Sequence, residues 1–312
     1  MWLKKERLHE RACQLYLTKA QSGDGEHVIA LISDCDYVSS HIKCKEVKNL
    51  NEVIGHDEEL KEMIGKDDIE SIINISTKIQ VTLKICEYMA GLGDKVLIFV
   101  DLRTTGGFLK KSLDHIGLNS TFIDGNVHMK LRTQMFADIN RKKSSPQTPT
   151  IIIITKKVGS TGLTLTGCNG VIIYDMHWNP TVDMQAEDRV YRIGQTKPVL
   201  IIRLVHNRGI DQIKYQRQIN KKYIIDCLME HGKPMKTFTA GDLKPLLAQN
   251  EEGHITIKNQ IFGFGDATAQ SKIWQNAINY FKTIKNVTDV TDSFTYVYMT
   301  IVFMIKHLCI VQ

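Results

Sequence analysis

Between residues 95 and 206, short runs of aliphatic and β-branched residues alternate with stretches whose apolar positions recur at helical spacing. Val96–Val100, Thr121–Ile123, Thr150–Thr155, Val171–Asp175 and Val199–Val205 read as strands, and Phe108–Ile116 and Met129–Asn140 as helices. The third run is almost pure isoleucine, which marks a central strand covered on both faces. Strand and helix in alternation imply βαβ units and an α/β, doubly wound parallel sheet with right-handed crossovers. Around this core, residues 1–75 are charged and mostly helical, with a boundary near Gly65. Lys142–Pro149 reads as a loop, and Ile210–Glu230 as a long helix with Lys214, Arg217 and Lys221 on one side. Phe294–Ile305 is apolar but too short to span a bilayer before Lys306 and His307, so it reads as a buried strand or helix.

Composition adds bounds rather than a function. The 312 residues are 43% hydrophobic and 24% charged, enough for one large or two modest domains. A net charge of +6 permits contact with nucleic acid without requiring it. The seven cysteines are odd in number and contain no CxxC, which argues against a disulfide framework and for a reducing compartment. Cys35, His41 and Cys44 lie near one another, but no second ligand pair follows at zinc spacing, so no metal site is expected. The polar start, Met-Trp-Leu-Lys-Lys-Glu-Arg, is not a signal peptide, and no membrane partner is expected.

Ligands of open parallel sheets gather where strands end and helices begin. Three such segments carry candidate chemistry here. Lys156–Gly167 follows the isoleucine strand, with glycines that allow close backbone approach and hydroxyls and lysines able to meet phosphate. Asp175-Met-His-Trp-Asn-Pro180 closes the next strand with an acid, a tryptophan and a proline that reads as preventing a helix. Gln185–Gln195, read as a helix ended by Gly194, places Gln185, Asp188, Arg189 and Arg192 on one face and Ala186, Val190 and Ile193 on another. The arginine face has two readings: a solvated surface held by Asp188–Arg192 pairing, or a grip on phosphate, which arginine's fixed fork of donors suits.

The order of these segments resembles the second RecA-like lobe of Swi/Snf-type ATPases, DNA translocases of helicase superfamily two. Gly159–Asn169 is similar to that family's motif V and Gln185–Gln195 to its motif VI. Ile123-Asp-Gly125 with Arg132 and Asn140 is similar to the motif between IV and V. The resemblance runs from Ser76 to about Leu247. Asp175–Pro180, Tyr191 before Arg192, Ser76-Thr-Lys-Ile79 and Phe238–Leu243 look most like the Lodestar/RNA polymerase II transcription termination factor branch. It implies that Arg189 and Arg192 act catalytically as arginine fingers, positioned by Gln185 and Asp188. It further implies that Gly162, Gly159 and Asp175 line the nucleotide cleft, and that Thr155, Lys156, Gly125, Arg132 and Trp178 face nucleic acid. ATP with Mg is the implied cofactor, and double-stranded DNA the implied partner. Chromatin or RNA polymerase II complexes in the nucleus, or a cytoplasmic setting, follow from the same likeness.

Departures qualify the implication. Ser160 stands where the family has glycine, Thr164 where it has asparagine, and Val100-Asp101 where it has Ser-Gln. An aspartate facing a DNA phosphate would repel it. No G-x-x-x-x-G-K-[ST] run occurs anywhere, since Gly65-Lys66 is followed by Asp67 and Gly232-Lys233 by Pro234. The expected organisation is therefore a helical region 1–75, the trailing edge of a first lobe absent from this chain, and a helicase C-terminal lobe 76–230. A brace segment 231–249 and a tail 250–312 follow. Two functions are expected of such a chain: the C-terminal half of an ATP-hydrolysing translocase completed by a first lobe in cis or trans, inactive alone, or a non-catalytic DNA- or complex-binding module.

Overall fold

The computed structural model describes residues 9, 12–20, 26–44, 50, 55, 57–141, 149–159, 162, 164–206, 209–215, 217–218, 221, 280, 283, 287–288 and 299–306. Its framework is a sheet in the order β2-β3-β1-β4-β5-β7-β6. The strands are β1 (Val96–Val100), β2 (Ser120–Ile123), β3 (Ile151–Thr155), β4 (Gly170–Ile173), β5 (Val199–His206), β6 (Val287–Thr288) and β7 (Met299–Lys306). The first five are mutually parallel, as the alternating pattern predicts. This is the RecA-like α/β arrangement that the sequence implied.

Every residue of β1, β3, β4 and β5 is buried, because helices cover both faces. One core contains Ile98, Val100, Ile153, Ile172 and Ile202 with Ile79, Ile85 and Leu113 from the helices α4 (Thr77–Gly91) and α5 (Arg103–His115). The alternate residues Leu97, Phe99, Ile152, Ile154 and Val171 face the other core, with Phe136 and Ile139 of α6 (Met129–Asn140). The period of two along each strand thus feeds two cores. At roughly 25 cal/mol per Å² of apolar surface withdrawn from water, these cores are the main source of stability.

Helix α5 begins five residues before the expected Phe108. Gly106 and Gly107 weaken the local helical signal, yet Gly106 is needed in place. A Cβ there would sit 2.4 Å from the Phe122 ring of β2. Close helix–strand packing outweighs the cost of glycine in a helix, about 1 kcal/mol.

Before the sheet, residues 12–20 are helical and are followed by α1 (Glu26–Ser40), α2 (Glu58–Gly65) and α3 (Ile69–Ile75). Asp57, Asp68 and Ser76 cap α2, α3 and α4 by accepting backbone N–H bonds from Leu60, Ser71 and Ile79. This region has its own core of Ala12, Tyr16, Cys35, Val38, Leu60 and Ile75, closed by Ile210 and Ile213 from the helical residues after β5.

The apolar segment near residue 300 is a strand. β7 pairs antiparallel with β5 from Val199↔Lys306 to His206↔Met299, so the sheet departs from the all-parallel expectation at this edge. The Lys142–Pro149 loop, the distal part of the Ile210–Glu230 helix, Phe238–Leu243 and the 231–249 brace fall largely or wholly outside the described residues.

Candidate functional site

Motif VI is organised differently from the helix that its spacing suggests. Helix α8 (Pro180–Glu187) stops at Glu187, with Asp188 as C-cap, and turns carry the chain through Gly194 at φ 102. Pro180 does not prevent this helix but starts it: it occupies the first turn, where its missing N–H costs nothing, behind Asn179, which accepts from Thr181 N at 3.2 Å. The early stop has a packing cause. Glu187 is fully buried against Arg203 of β5, 2.5 Å away. Val190 must be buried as well, and Gln195 Nε2 closes the turn by donating to Cys168 O at 2.8 Å and Val190 O at 3.3 Å. Ile193 consequently leaves the expected apolar stripe and is 89% exposed.

The turn still gathers the residues that motif VI nominates. Gln185, Asp188, Arg189, Tyr191, Arg192 and Ile193 line one open concavity of about 540 Å³. Arg192 Nη1 donates to Thr164 Oγ1 at 3.2 Å, so the hydroxyl standing where the family has asparagine touches the second arginine. Asn140 at the end of α6 fixes the same loop, donating to Thr164 O at 2.7 Å and accepting from Gly167 N at 3.0 Å. Leu165 N donates to Arg189 O at 2.8 Å. The three motifs are therefore joined by hydrogen bonds, which their separation in sequence does not reveal.

The glycines of motif V divide by role. Gly162 is exposed at φ 65, with open space where a Cβ would stand. Gly159, in the short turn α7 (Lys156–Gly159), is buried against Phe99, where a Cβ would meet the ring at 2.6 Å. It serves packing rather than the expected cleft lining. Gly125 is exposed in the turn after β2. Arg132 is half-buried and donates to Val127 O at 2.9 Å, bracing that turn.

Thr155, Lys156 and Asp175 are buried, with exposures of 5%, 6% and 7%, so they do not form the open phosphate- or nucleotide-facing surface that the resemblance implies. Lys156 Nζ pairs with Asp183 at 2.8 Å and Asp101 at 3.2 Å and also donates to Asp175 O. Burial alone would lower the Lys156 pKa, but Asp101 and Asp183 raise it above its ordinary value. Asp101 is thereby a counter-ion for lysine rather than a repulsive group set against DNA. Asp175 accepts from Asp101 N at 3.0 Å, and burial pushes its carboxyl up against the opposing pull of Lys78.

The network extends below. Lys78, fully buried in α4, lies 2.5 Å from Asp211 and 4.0 Å from Asp175 and donates to Tyr174 O at 3.1 Å. Burial would raise Asp211, but Lys78 and Lys214 hold it below the usual carboxylate range. Gln218 Nε2 and His177 N both donate to Asp183 Oδ2, at 2.6 and 3.0 Å. Trp178 is half-buried: its Nε1 donates to Asp36 at 3.2 Å, and Lys214 and Arg217 each stand 5.3 Å from its ring. Its described contacts are thus structural. Lys214 is buried on Asp36 at 2.7 Å rather than lying on a basic outer face. Sequence reasoning missed Asp36, Asp183, Asp211 and Gln218; the only local hint was a lysine inside the apolar run around Ile79.

The helicase conserved C-terminal domain family, Helicase_C, matches residues 77–194. Protein CHROMATIN REMODELING 24 of Arabidopsis thaliana is 32% identical over 180 residues, covering 58% of this chain and 16% of that protein. DNA excision repair protein CSB of Oryza sativa subsp. japonica is 31% identical, covering 57% and 15%. DNA repair and recombination protein RAD26 of Saccharomyces cerevisiae is 32% identical, covering 58% and 17%. The solved C-terminal part of the Fun30 ATPase domain has a TM-score of 0.48 at 19% identity, covering 81% of this chain and 95% of that one. Against these curated relatives the chain spans only 15% to 17% of their length. Residues 77–194 match the helicase conserved C-terminal domain, and the chain is similar over that part to Swi/Snf-type ATPases.

Proposed function

We propose that this chain supplies the second RecA-like lobe of an ATP-dependent, DNA-stimulated translocase, with Arg189 and Arg192 as arginine fingers that complete an ATP site held mainly by a first lobe. The observation that carries this reading is the open concavity in which both arginines stand with Gln185 and Asp188, tied to motif V through Thr164. Its residues fit a phosphate: Arg192 is exposed and Arg189 half-exposed, while Asp188 and Gln185 are exposed beside them. ATP with Mg supplies the phosphoryl group and its charge when bound. The arginines stabilise negative charge developing on that group, an effect on the order of 10³–10⁵ in rate where such fingers act.

Double-stranded DNA is the proposed track, contacted through its phosphates and without base readout. Gly125 and the open turn around it remain the candidate contact, whereas Lys156 and Trp178 act from within the fold. Action on chromatin or transcription complexes in the nucleus extends this reading by analogy with the relatives' names, and the tryptophan turn with Tyr191 supports a place near the transcription termination branch.

The 312 residues contain no Walker loop, which favours a second reading of the isolated chain as a non-catalytic DNA-binding module. One experiment separates the two. ATP turnover is measured with and without duplex DNA for the chain alone and for the chain joined to a Swi/Snf first lobe. The joined protein is expected to hydrolyse ATP with DNA stimulation that Arg192→Ala abolishes, while the chain alone is silent. A joined, folded protein whose turnover is indifferent to both Arg189→Ala and Arg192→Ala overturns the finger assignment.

A further inference from the structure

A second cluster lies away from the arginines, where the N-terminal helical region meets the end of β5. His9, Cys13 and His206 are all buried, at 0%, 3% and 0% exposure. One ligand atom from each lies within 4.8 Å of the others, the only such His/Cys/Asp/Glu group among the described residues. The two imidazoles meet edge to face with centroids 4.9 Å apart. His9 Nε2 donates to Val38 O at 2.5 Å, which fixes the tautomer and leaves Nδ1 as a lone-pair nitrogen. That Nδ1 is buried and has no hydrogen-bond partner. A ring nitrogen bonded to a backbone carbonyl while the other is left as a donor atom is the usual preparation of a metal-ligating histidine.

The sequence set Cys35, His41 and Cys44 side by side, yet His41 uses both ring nitrogens, Nε2 with Ile72 O at 3.0 Å and Nδ1 accepting from Lys43 N at 3.0 Å. Neither ring nitrogen of His41 is left for an ion. His9 and Cys13 are four positions apart, while His206 comes from the end of β5, so no local spacing could mark the whole set.

We propose that His9, Cys13 and His206 bind a zinc ion that staples the N-terminal helices to the end of β5. Two imidazole nitrogens and one thiolate are a donor set suited to this borderline-soft cation. Zn–N bonds of about 2.0–2.1 Å and Zn–S of about 2.3 Å require the donors to draw in from 4.8 Å to about 3.5 Å. Binding releases the Cys13 thiol proton to solvent and leaves one coordination position to water.

The test uses the full chain, stripped with chelator and titrated with Co²⁺ as a spectroscopic stand-in for Zn²⁺. Saturable binding with a thiolate-to-metal charge-transfer band is expected, with zinc displacing cobalt. Cys13→Ser should abolish the band, and His9→Gln should weaken binding at least about tenfold. Zinc should raise the melting temperature of the wild-type chain and not that of Cys13→Ser. If the wild-type chain binds no Co²⁺, or its band survives Cys13→Ser, the cluster is a packed pair of histidines beside a buried thiol. The wild-type titration alone decides against the site even if a variant does not fold.

Discussion

Replacing Lys78 by methionine removes a fully buried cation while keeping most of its stem. The ammonium stands 2.5 Å from Asp211 and 4.0 Å from Asp175. With an effective dielectric of about 20, these separations correspond to gross attractions of about 7 and about 4 kcal/mol. Desolvation of each ion offsets several kcal/mol of that sum, so the pair adds little net stability as a whole. Removing one partner is different, because two buried carboxylates then lose their nearest cation and keep only the weaker pulls of Lys214 and Lys156. Lys78→Met is therefore expected to cost about 3–5 kcal/mol. Lys78→Met with Asp211→Asn removes charge from both sides and should cost less than the sum of the single changes by about 2 kcal/mol or more.

The assay is urea unfolding followed by tryptophan fluorescence, repeated across pH. In the wild-type chain Asp211 is held below its unfolded pKa, so its stabilising contribution is present above the unfolded value of about 3.9 and is lost as pH falls through the folded value. Without Lys78 the main downward pull on Asp211 is gone and only the pulls of Lys214 and His206 oppose burial. Asp211 is then easier to bury protonated, and the cost of Lys78→Met should shrink as pH falls from about 7 towards about 4. A single-variant cost below about 1 kcal/mol, or strict additivity in the double variant, would refute the reasoning.

Two further expectations concern local packing and pH. A Cβ at Gly167 would lie 2.2 Å from Ile139 O and 2.7 Å from Asn140 Cα, both backbone atoms that cannot swing aside. Gly167→Ala should cost about 1–3 kcal/mol, whereas Gly107→Ala, with open space at its Cβ, should be neutral or mildly stabilising; equal unfolding midpoints for the two would contradict this. Burial lowers the His41 pKa to about 4 from the ordinary 6.5. The unfolded chain therefore takes up a proton first, and folding stability from this group, intact above about 6.5, should fall by about 3 kcal/mol as pH drops to about 4. His41→Asn should flatten that slope, and an unchanged acid profile would remove His41 as its source.

The strands of the parallel sheet were legible because central strands are runs of β-branched residues, and β1 lies where that pattern puts it. β4 ends earlier than expected, at Ile173, although Tyr174 and Asp175 after it are also buried. The residues of the arginine site were nominated by the order of three motifs, but their geometry was not legible. Helical spacing carried the stripe of Ala186, Val190 and Ile193 through Gln195, whereas the need to bury Glu187 on Arg203 and to close the turn on Cys168 ended the helix at Glu187.

The sequence by itself determined the succession of strands and helices, the apolar cores and the motif residues, since periodicity and side-chain chemistry are local properties. Tertiary structure alone decided the strand order, the antiparallel β7 beside β5, and above all the fate of each charge. Lys156 looks like a phosphate ligand in a glycine-rich loop, yet the carboxylates of Asp101 and Asp183 and the carbonyl of Asp175 draw its ammonium inward. Arg192, in the motif that follows, remains exposed. A charged side chain's role depends on which counter-charges and how much water surround it, and both are set by residues distant in sequence.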